Sequence, residues 1–336
     1  LKHANRRALM NFRNFGETGP SVSEIGLGCW QLGGDWGDVD DYTAQKVLEG
    51  AVQSGINFYD TADVYGKGRS EELLHKYLRP LAPGAFIATK LGRFPDPGNS
   101  ENYTFENFRR FTENSLKRLN VDVLDLTQLH CIPSKLMESG EVFEWLRKLQ
   151  QEGKIKQFGA SVESISEAKT CLKQKGLASL QIIFNIFRQK PITELFDEAK
   201  TKGVSLIVRL PLASGLLGGK LHINTSFPEN DHRLFNNDGQ CFNVGETFAG
   251  IPFNIGLDIV EELKKMVPEG MSLAQMSLRW ILDFDAVTVV IPGSKSPLQI
   301  SDNAYATDLP SLPKSLHNKL SNFYNENISQ YIRGKY

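Results

Sequence analysis

The chain has 336 residues, 40% of them hydrophobic and 23% charged, and its 38 basic and 39 acidic side chains leave a formal net charge of −1. With no long run of either sign, it lacks the basic footprint of a nucleic-acid binder or of a protein held on anionic membranes, which leaves a small, weakly charged partner. No apolar stretch approaches the roughly 20 residues of a membrane span, and the opening LKHANRRALMNFRNF has no apolar signal region, so a cytoplasmic setting is expected. Cys29, Cys131, Cys171 and Cys241 are scattered without CxxC pairing or zinc spacing; they are read as reduced thiols, and no metal site is expected.

In chain order, NFRNFGETGPSV carries a Gly-Glu-Thr-Gly-Pro turn between apolar flanks and predicts a small hairpin plugging a barrel floor. Eight β-rich runs follow: EIGLG near 24, INFYD at 56, AFIATK at 85, VLDLTQLH at 123, IKQFGAS at 155, LQIIFN at 180, VSLIVRL at 204 and AVTVVIPG at 286. Helical patterns separate most of them. In TAQKVLEGAVQSG, Ala44, Val47, Leu48, Ala51 and Val52 recur at helical spacing, with Asp41 expected as N-cap and Gly55 as C-cap. Ser70 with Glu71 and Glu72 opens a second helix, Phe105, Phe108, Phe111, Leu116 and Leu119 mark a third, and Val142, Phe143, Leu146 and Leu149 a fourth.

Several of the strands are almost continuously apolar, as parallel strands covered on both faces should be. Eight such units predict a single (β/α)8 barrel domain spanning 1–336. A doubly wound sheet is the alternative, but no GxGxxG fingerprint is present: GLGCWQ has Gln31 where the third glycine belongs. The Gly- and Asn-rich stretch after the seventh strand, SGLLGGKLHINTSFPENDHRLFNNDGQCFNVGETFAG, reads as a long loop over the strand ends. Helices near 255–267 and 272–283 follow it, and the C-terminal LSNFYNENISQYIRGKY suggests one more.

In such a barrel, side chains at the C-terminal strand ends line the active site. Strand two ends at Asp60, strand three at Lys90 and strand four at His130, and Tyr65 lies in the turn after strand two. Taken singly, each has an ordinary reading as a turn cap, a solvated lysine or a packed histidine; together they bring ionisable groups from three adjacent strands to one rim. A phenol is a poor acid at neutral pH, and a neighbouring ammonium stabilises its phenolate. Lys90 is expected to lower the Tyr65 pKa in this way, with Asp60 keeping Lys90 charged. Tyr65 can then protonate an alkoxide forming on a carbonyl while His130 hydrogen-bonds the same oxygen. The constellation supplies a proton but no electrons, so a nicotinamide cofactor is implied. Asp63 is read as a loop residue. Cys131, one place after His130, is expected to face away from it by strand alternation.

FYDTADVYGKGRSEELL, FIATK, LDLTQLH, GKIKQFGASVES and VVIPGSKSPLQISDNA, in this order over nearly the whole chain, resemble the successive signatures of the aldo-keto reductase superfamily. The resemblance puts that family's catalytic tetrad on Asp60, Tyr65, Lys90 and His130. It implies a barrel oxidoreductase that binds NADP(H) without a Rossmann fold and reduces aldehydes or ketones, or oxidises alcohols in reverse. It places Ser161 and Gln181 at the nicotinamide carboxamide, with Val162 where the family usually has Asn, and Gly28, Cys29 and Trp30 beside the cofactor. Arg209 falls where an aromatic often stacks on the nicotinamide. RLPLASGLLGGK corresponds to the loop over the pyrophosphate, through Leu212, Ser214, Leu216 and Lys220.

IPGSKSPLQISDN corresponds to the grip on the adenosine 2′-phosphate and adenine, through Gly293, Ser294, Lys295, Ser296, Gln299 and Asn303, with a helix expected to begin near Pro297. Gly293 and Gln299 stand where a Lys and an Arg are usual, so Lys295 is the expected nearby cation and NAD(H) stays open beside NADP(H). Small carbonyl or alcohol substrates are expected to meet Trp30, Tyr65 and His130, with Trp36 and Phe94 as further candidate walls. Two other readings are kept: a cofactor-binding regulatory or sensor subunit, as among the family's potassium-channel β subunits, and a metal-dependent barrel hydrolase, for which no ligand cluster is evident.

Overall fold

The computed structural model, which describes residues 10–17, 19–95 and 99–336, begins with an antiparallel hairpin of β1 (Phe12–Asn14) and β2 (Ser21–Ser23) in which Arg13 faces Val22. Eight parallel strands follow: β3 (Leu27–Gly28), β4 (Phe58–Asp60), β5 (Phe86–Leu91), β6 (Leu124–His130), β7 (Ile155–Ser161), β8 (Leu177–Ile183), β9 (Ser205–Arg209) and β10 (Val287–Val290). Each pairs with its neighbours in sequence order, and parallel bridges Ile25–Val290 and Gly28–Gly293 join the last strand to the first. The sheet closes on itself and leaves no free edge. The doubly wound alternative is thereby set aside.

Two apolar cores follow from this closure. Strand residues facing outward pack under the helices, while those facing inward fill the cylinder. At its floor the hairpin sends Phe15 and Val22 against Phe58, Phe86, Ala88, Leu126, Ile207, Val289 and Ile291, all buried. The Phe15 ring lies 5.0 Å from Phe86 and 5.9 Å from Phe58, so one aromatic plug closes the end opposite the strand C-termini. Arg13 fixes the plug from outside by pairing with Glu24 at 2.9 Å and donating to the Val287 carbonyl at 2.5 Å.

The helices keep close to their sequence patterns, with two shifts. Asp40, not Asp41, caps the helix Asp41–Gln53 by accepting from the Thr43 amide; Asp41 turns outward to Arg69 and Lys76. The helix after β4 starts at Arg69, behind a left-handed Gly68, so Ser70 lies inside it and its hydroxyl donates to the Cys29 carbonyl at 3.0 Å. Glu71 is no exposed first-turn acid: it is fully buried, bonded to Thr89 at 2.5 Å and to Arg118 at 2.6 Å. Helices Phe253–Lys264, Leu273–Leu282 and Pro297–Ala304 fall where the sequence suggests them, whereas the last helix, Lys314–Asn327, starts before the expected 320–336 segment and gives way to a single turn at Ser329–Tyr331.

Truncating the plug separates floor from mouth. Phe15→Ala should cost about 3–5 kcal/mol of unfolding free energy in denaturant titrations, the range for a buried aromatic deleted from a packed core; a loss below about 1 kcal/mol would show that the hairpin does not brace the cylinder.

Candidate active site

Asp60, Lys90 and His130 emerge at the mouths of β4, β5 and β6, and the turn after β4 folds back so that Tyr65 joins them. The turn is pinned on both sides. Thr61 and Asp63 donate their amides to Ala88 and Lys90 of β5 at 2.8 and 3.2 Å, and the Thr61 hydroxyl meets Ser70 at 2.8 Å. Gly33 backs directly onto Tyr65, where a Cβ would lie 2.5 Å from the Tyr65 carbonyl carbon, so only glycine admits this approach.

Lys90 is fully buried, and its ammonium donates to Asp60 Oδ1 at 2.5 Å, to the Thr61 carbonyl at 2.9 Å and to the Tyr65 hydroxyl at 3.2 Å. The His130 ring stands edge-on to the Tyr65 ring at 5.7 Å, and its Nδ1 is buried without a partner. Asp60 presents its second oxygen to Gln181 Nε2 at 2.6 Å and, more distantly, to Gln128 Nε2 at 3.4 Å. Trp30 stacks on Tyr65 at 5.9 Å with nearly parallel rings, and behind it lie Trp36, His232 and Phe242.

The electrostatics correct one expectation. Burial pushes the Tyr65 phenol up to about 12; Lys90 pulls it down and Asp60 raises it, but the pull of Lys90 does not overcome burial. Tyr65 is therefore a protonated donor at neutral pH rather than a poised phenolate. Burial works against the Lys90 charge, yet Asp60 and Tyr65 outweigh it and hold the ammonium above its ordinary value. His130 lies well below its ordinary value, first through burial and then through Arg93, Lys90 and Arg209, so its imidazole is neutral.

The tetrad opens into a cavity of about 860 Å³ that runs to the start of the helix Pro297–Ala304. Gly28, Trp30, Gln181, Arg209, Leu212, Ser214 and Lys220 line it, as do Gly293, Ser294, Lys295, Gln299 and Asn303. Gln31 reaches in from the helical turn Trp30–Gly33 after β3; its Oε1 is buried without a partner, and a Cβ on Gly293 would lie 2.0 Å from its amide nitrogen. An elongated groove with an unpaired amide oxygen, several cations and a helix N-terminus at its far end suits a dinucleotide carrying phosphates.

Other residues stand differently from expectation. Cys29 and Leu216 are buried behind the cavity wall, and Ser161 lies behind it too, its hydroxyl meeting Gln181 at 3.4 Å and the Cys131 thiol at 3.6 Å. The residue that lines the cavity after β5 is Arg93, not Phe94. Cys131 faces the cavity, because its backbone turns left-handed (φ 49°) and breaks the alternation expected after His130. Asp63 is buried rather than an open loop residue, its carboxyl raised by burial and then by Glu71. Lys295 is not alone at the far end of the groove: Arg233 also lines it, held bidentately by Asp231.

The long loop after β9 supplies residues that no sequence pattern marked. Glu246 is buried and pairs with Arg93 at 2.9 Å and Arg209 at 3.4 Å, while Glu163 takes Arg93 at 3.2 Å. Cys131, Glu163 and Glu246 come within 4.8 Å of one another, but the guanidinium groups already neutralise both carboxylates. The loop is tied to the segment after β3 by His232 N to the Asp35 carbonyl at 2.8 Å and by Asn230 to Asp38 at 2.8 Å, and the Lys295 ammonium, after β10, joins the same segment at the Trp36 carbonyl. All four cysteines are free thiols, and among the described residues no helix is long and apolar enough to cross a membrane.

The Aldo/keto reductase family model matches residues 24–325. Aldo-keto reductase YhdN of Bacillus subtilis is 31% identical over 299 residues, covering 87% of each chain. A probable voltage-gated potassium channel subunit beta of Oryza sativa is 30% identical, over 89% of this chain and 92% of its own. The solved glycerol dehydrogenase AKR11B4 of Gluconobacter oxydans superposes with a TM-score of 0.77 at 28% identity, covering 97% of this chain and 98% of its own.

Burial opposes ionisation of Glu246, but Arg93 and Arg209 prevail and bring its carboxyl from 4.5 to about 2. Because the folded value lies below the unfolded one, the ionised carboxylate stabilises the fold above the usual carboxylate range, and that contribution fades as pH falls through the folded value. At neutral pH, Glu246→Gln should therefore cost about 3 kcal/mol, leaving the Arg209 guanidinium without its carboxylate and Arg93 with Glu163 alone. The gap to wild type should shrink as pH drops from 4.5 toward about 2. Denaturant unfolding across that range checks it; a gap independent of pH would mean the carboxylate charge contributes nothing.

Proposed function

Because this chain belongs to the aldo/keto reductase family and is an NAD(P)H-dependent oxidoreductase with NADP(H) as cofactor, we propose that it reduces small aldehydes or ketones to alcohols, or runs the reverse, with Tyr65 as the general acid and base. The observation that carries this is the Lys90 ammonium, held 2.5 Å from Asp60 and 3.2 Å from the Tyr65 hydroxyl at the edge of a cavity of about 860 Å³.

When bound, the cofactor supplies the hydride. The residues of the chain supply the rest. A carbonyl oxygen seated between Tyr65 and His130 meets two neutral groups at neutral pH, a phenol and an imidazole. The phenol gives its proton to that oxygen as negative charge develops on it, and the Lys90 ammonium stabilises the phenolate left behind. Asp60 keeps Lys90 charged in a site where burial alone would strip its proton. Trp30, stacked on Tyr65, limits the phenol's motion and keeps water off one of its faces. Gln181 and Arg209 lie beside the nicotinamide end of the groove, Leu212, Ser214 and Lys220 along its middle, and Gly293, Ser294, Lys295, Gln299, Asn303 and Arg233 at the end that would take the 2′-phosphate.

The similarity to a potassium-channel β subunit favours a second reading, a subunit or sensor that binds cofactor with little turnover. Intact tetrad contacts argue for turnover, and one assay separates the two: tight NADPH binding with no consumption across aldehydes, sugars and polyols would favour the sensor.

Tyr65→Phe should lower kcat for an aldehyde such as 4-nitrobenzaldehyde by about a hundredfold or more while leaving NADPH affinity within about twofold; near-normal turnover would remove Tyr65 from the chemistry. Lys295→Ala should weaken NADPH by about three- to tenfold and NADH hardly at all in fluorescence titrations. Equal losses for both would mean that Lys295 does not read the 2′-phosphate.

A further inference from the structure

Gln128 lies in the middle of β6, two residues before His130, fully buried inside the cylinder. It does not line the cavity, so it meets neither substrate nor cofactor. An interior position on an apolar strand is ordinarily filled by Leu, Ile or Val, and burying a primary amide there costs free energy unless its groups are used. Here only one half of the amide is used: Oε1 has no partner, whereas Nε2 points to Asp60 Oδ2 at 3.4 Å. Gln181, on β8, donates to the same oxygen at 2.6 Å, while Lys90 holds the other one.

We propose that Gln128 is a positioning residue for the Asp60–Lys90 pair. Together with Gln181 it restrains the oxygen of Asp60 that Lys90 does not use, so that Oδ1 stays aimed at the ammonium and the ammonium at Tyr65. The two amides differ in access. Gln181 faces the cavity and can be drawn toward whatever occupies it, whereas Gln128, sealed behind the wall, stays with Asp60 when Gln181 turns away. The inference rests on the proposed role of Tyr65.

Two substitutions of nearly the same shape test it. Gln128→Met removes the donor; kcat for a turned-over aldehyde should fall about tenfold with NADPH affinity unchanged within about twofold, a split that a merely structural core position would not produce. Gln128→Glu can donate only with its carboxyl protonated, so its kcat relative to wild type should recover as pH falls from about 8 to about 6, toward the raised pKa of a buried carboxyl. If Gln128→Met proves too unstable to assay, that recovery alone carries the test. Unchanged kcat in folded Gln128→Met, or a Gln128→Glu profile parallel to wild type, overturns the positioning role while wild-type turnover upholds the carbonyl-reducing reading.

Should the wild type itself turn over no carbonyl, that reading fails, and the positioning role is then read from the Tyr65 phenolate, taken as the ultraviolet difference between proteins with and without Tyr65→Phe. Its titration should move to higher pH in Gln128→Met as Lys90 loses its aim; coincident curves overturn the role.

Discussion

A lysine with no exposed surface anchors the candidate site. Lys90 sits in the β5 mouth with Asp60 at 2.5 Å, and neither charge is tolerable there without the other. Their mutual dependence explains why the strands had to be closed into a cylinder before the site could exist. Asp60 comes from β4 and Lys90 from β5, adjacent parallel strands whose register puts Asp60 beside Ala88, two residues before Lys90. That offset brings the ammonium level with the turn after β4, where the Thr61 carbonyl and the Tyr65 hydroxyl take its remaining protons. A one-residue slip of this register would turn Lys90 to the helical face of the sheet, where no carboxylate waits for it.

Closure also decides what can move. The floor is locked by the Phe15 plug and by Arg13 on the Val287 carbonyl of β10, whereas the mouth is closed by loops that reach each other across the groove. Lys295 is spread over the Trp36 carbonyl, and burial holds its ammonium below the ordinary value. In the proposed reading, a phosphate arriving at that end offers Lys295 a better partner than a neutral carbonyl, and taking it would release a tie between the first loop and the segment after β10.

Most of the frame was legible in the sequence because it is written in short-range patterns. Eight apolar runs predicted eight strands, and the strand-end rule alone picked out Asp60, Lys90 and His130. The failures share a cause: they depend on what lies opposite in space. Cys131 was expected to face away because strands alternate, but the strand has ended and the backbone turns left-handed. Tyr65 was expected to have a lowered pKa because its cationic neighbour was inferred, but the depth of burial that opposes Lys90 has no sequence signature. Arg93 and Glu246 are separated by 153 residues, and Glu246 sits in a loop without periodicity, so nothing in the chain announces that they meet. Gln128 stood in plain view within LDLTQLH, where an amide amid apolar neighbours was the available signal.

That long-range pair matters to the substrate end. Arg93 and Arg209 both line the cavity near His130, and bare they would make a strongly cationic wall. Glu246 bonds to both and Glu163 to one of them, and Lys335 closes the set by pairing with Glu163 at 3.0 Å. The wall is consequently polar but close to balanced. The guanidinium groups still help to keep His130 neutral, so that in the proposed reaction its imidazole would hydrogen-bond a carbonyl oxygen without competing with Tyr65 to protonate it. In the proposed reaction one proton donor and one neutral polariser are what a carbonyl needs as its oxygen gains charge, and the neutral role of His130 follows from its burial and from the cations around it, two of them arginines far from it in sequence.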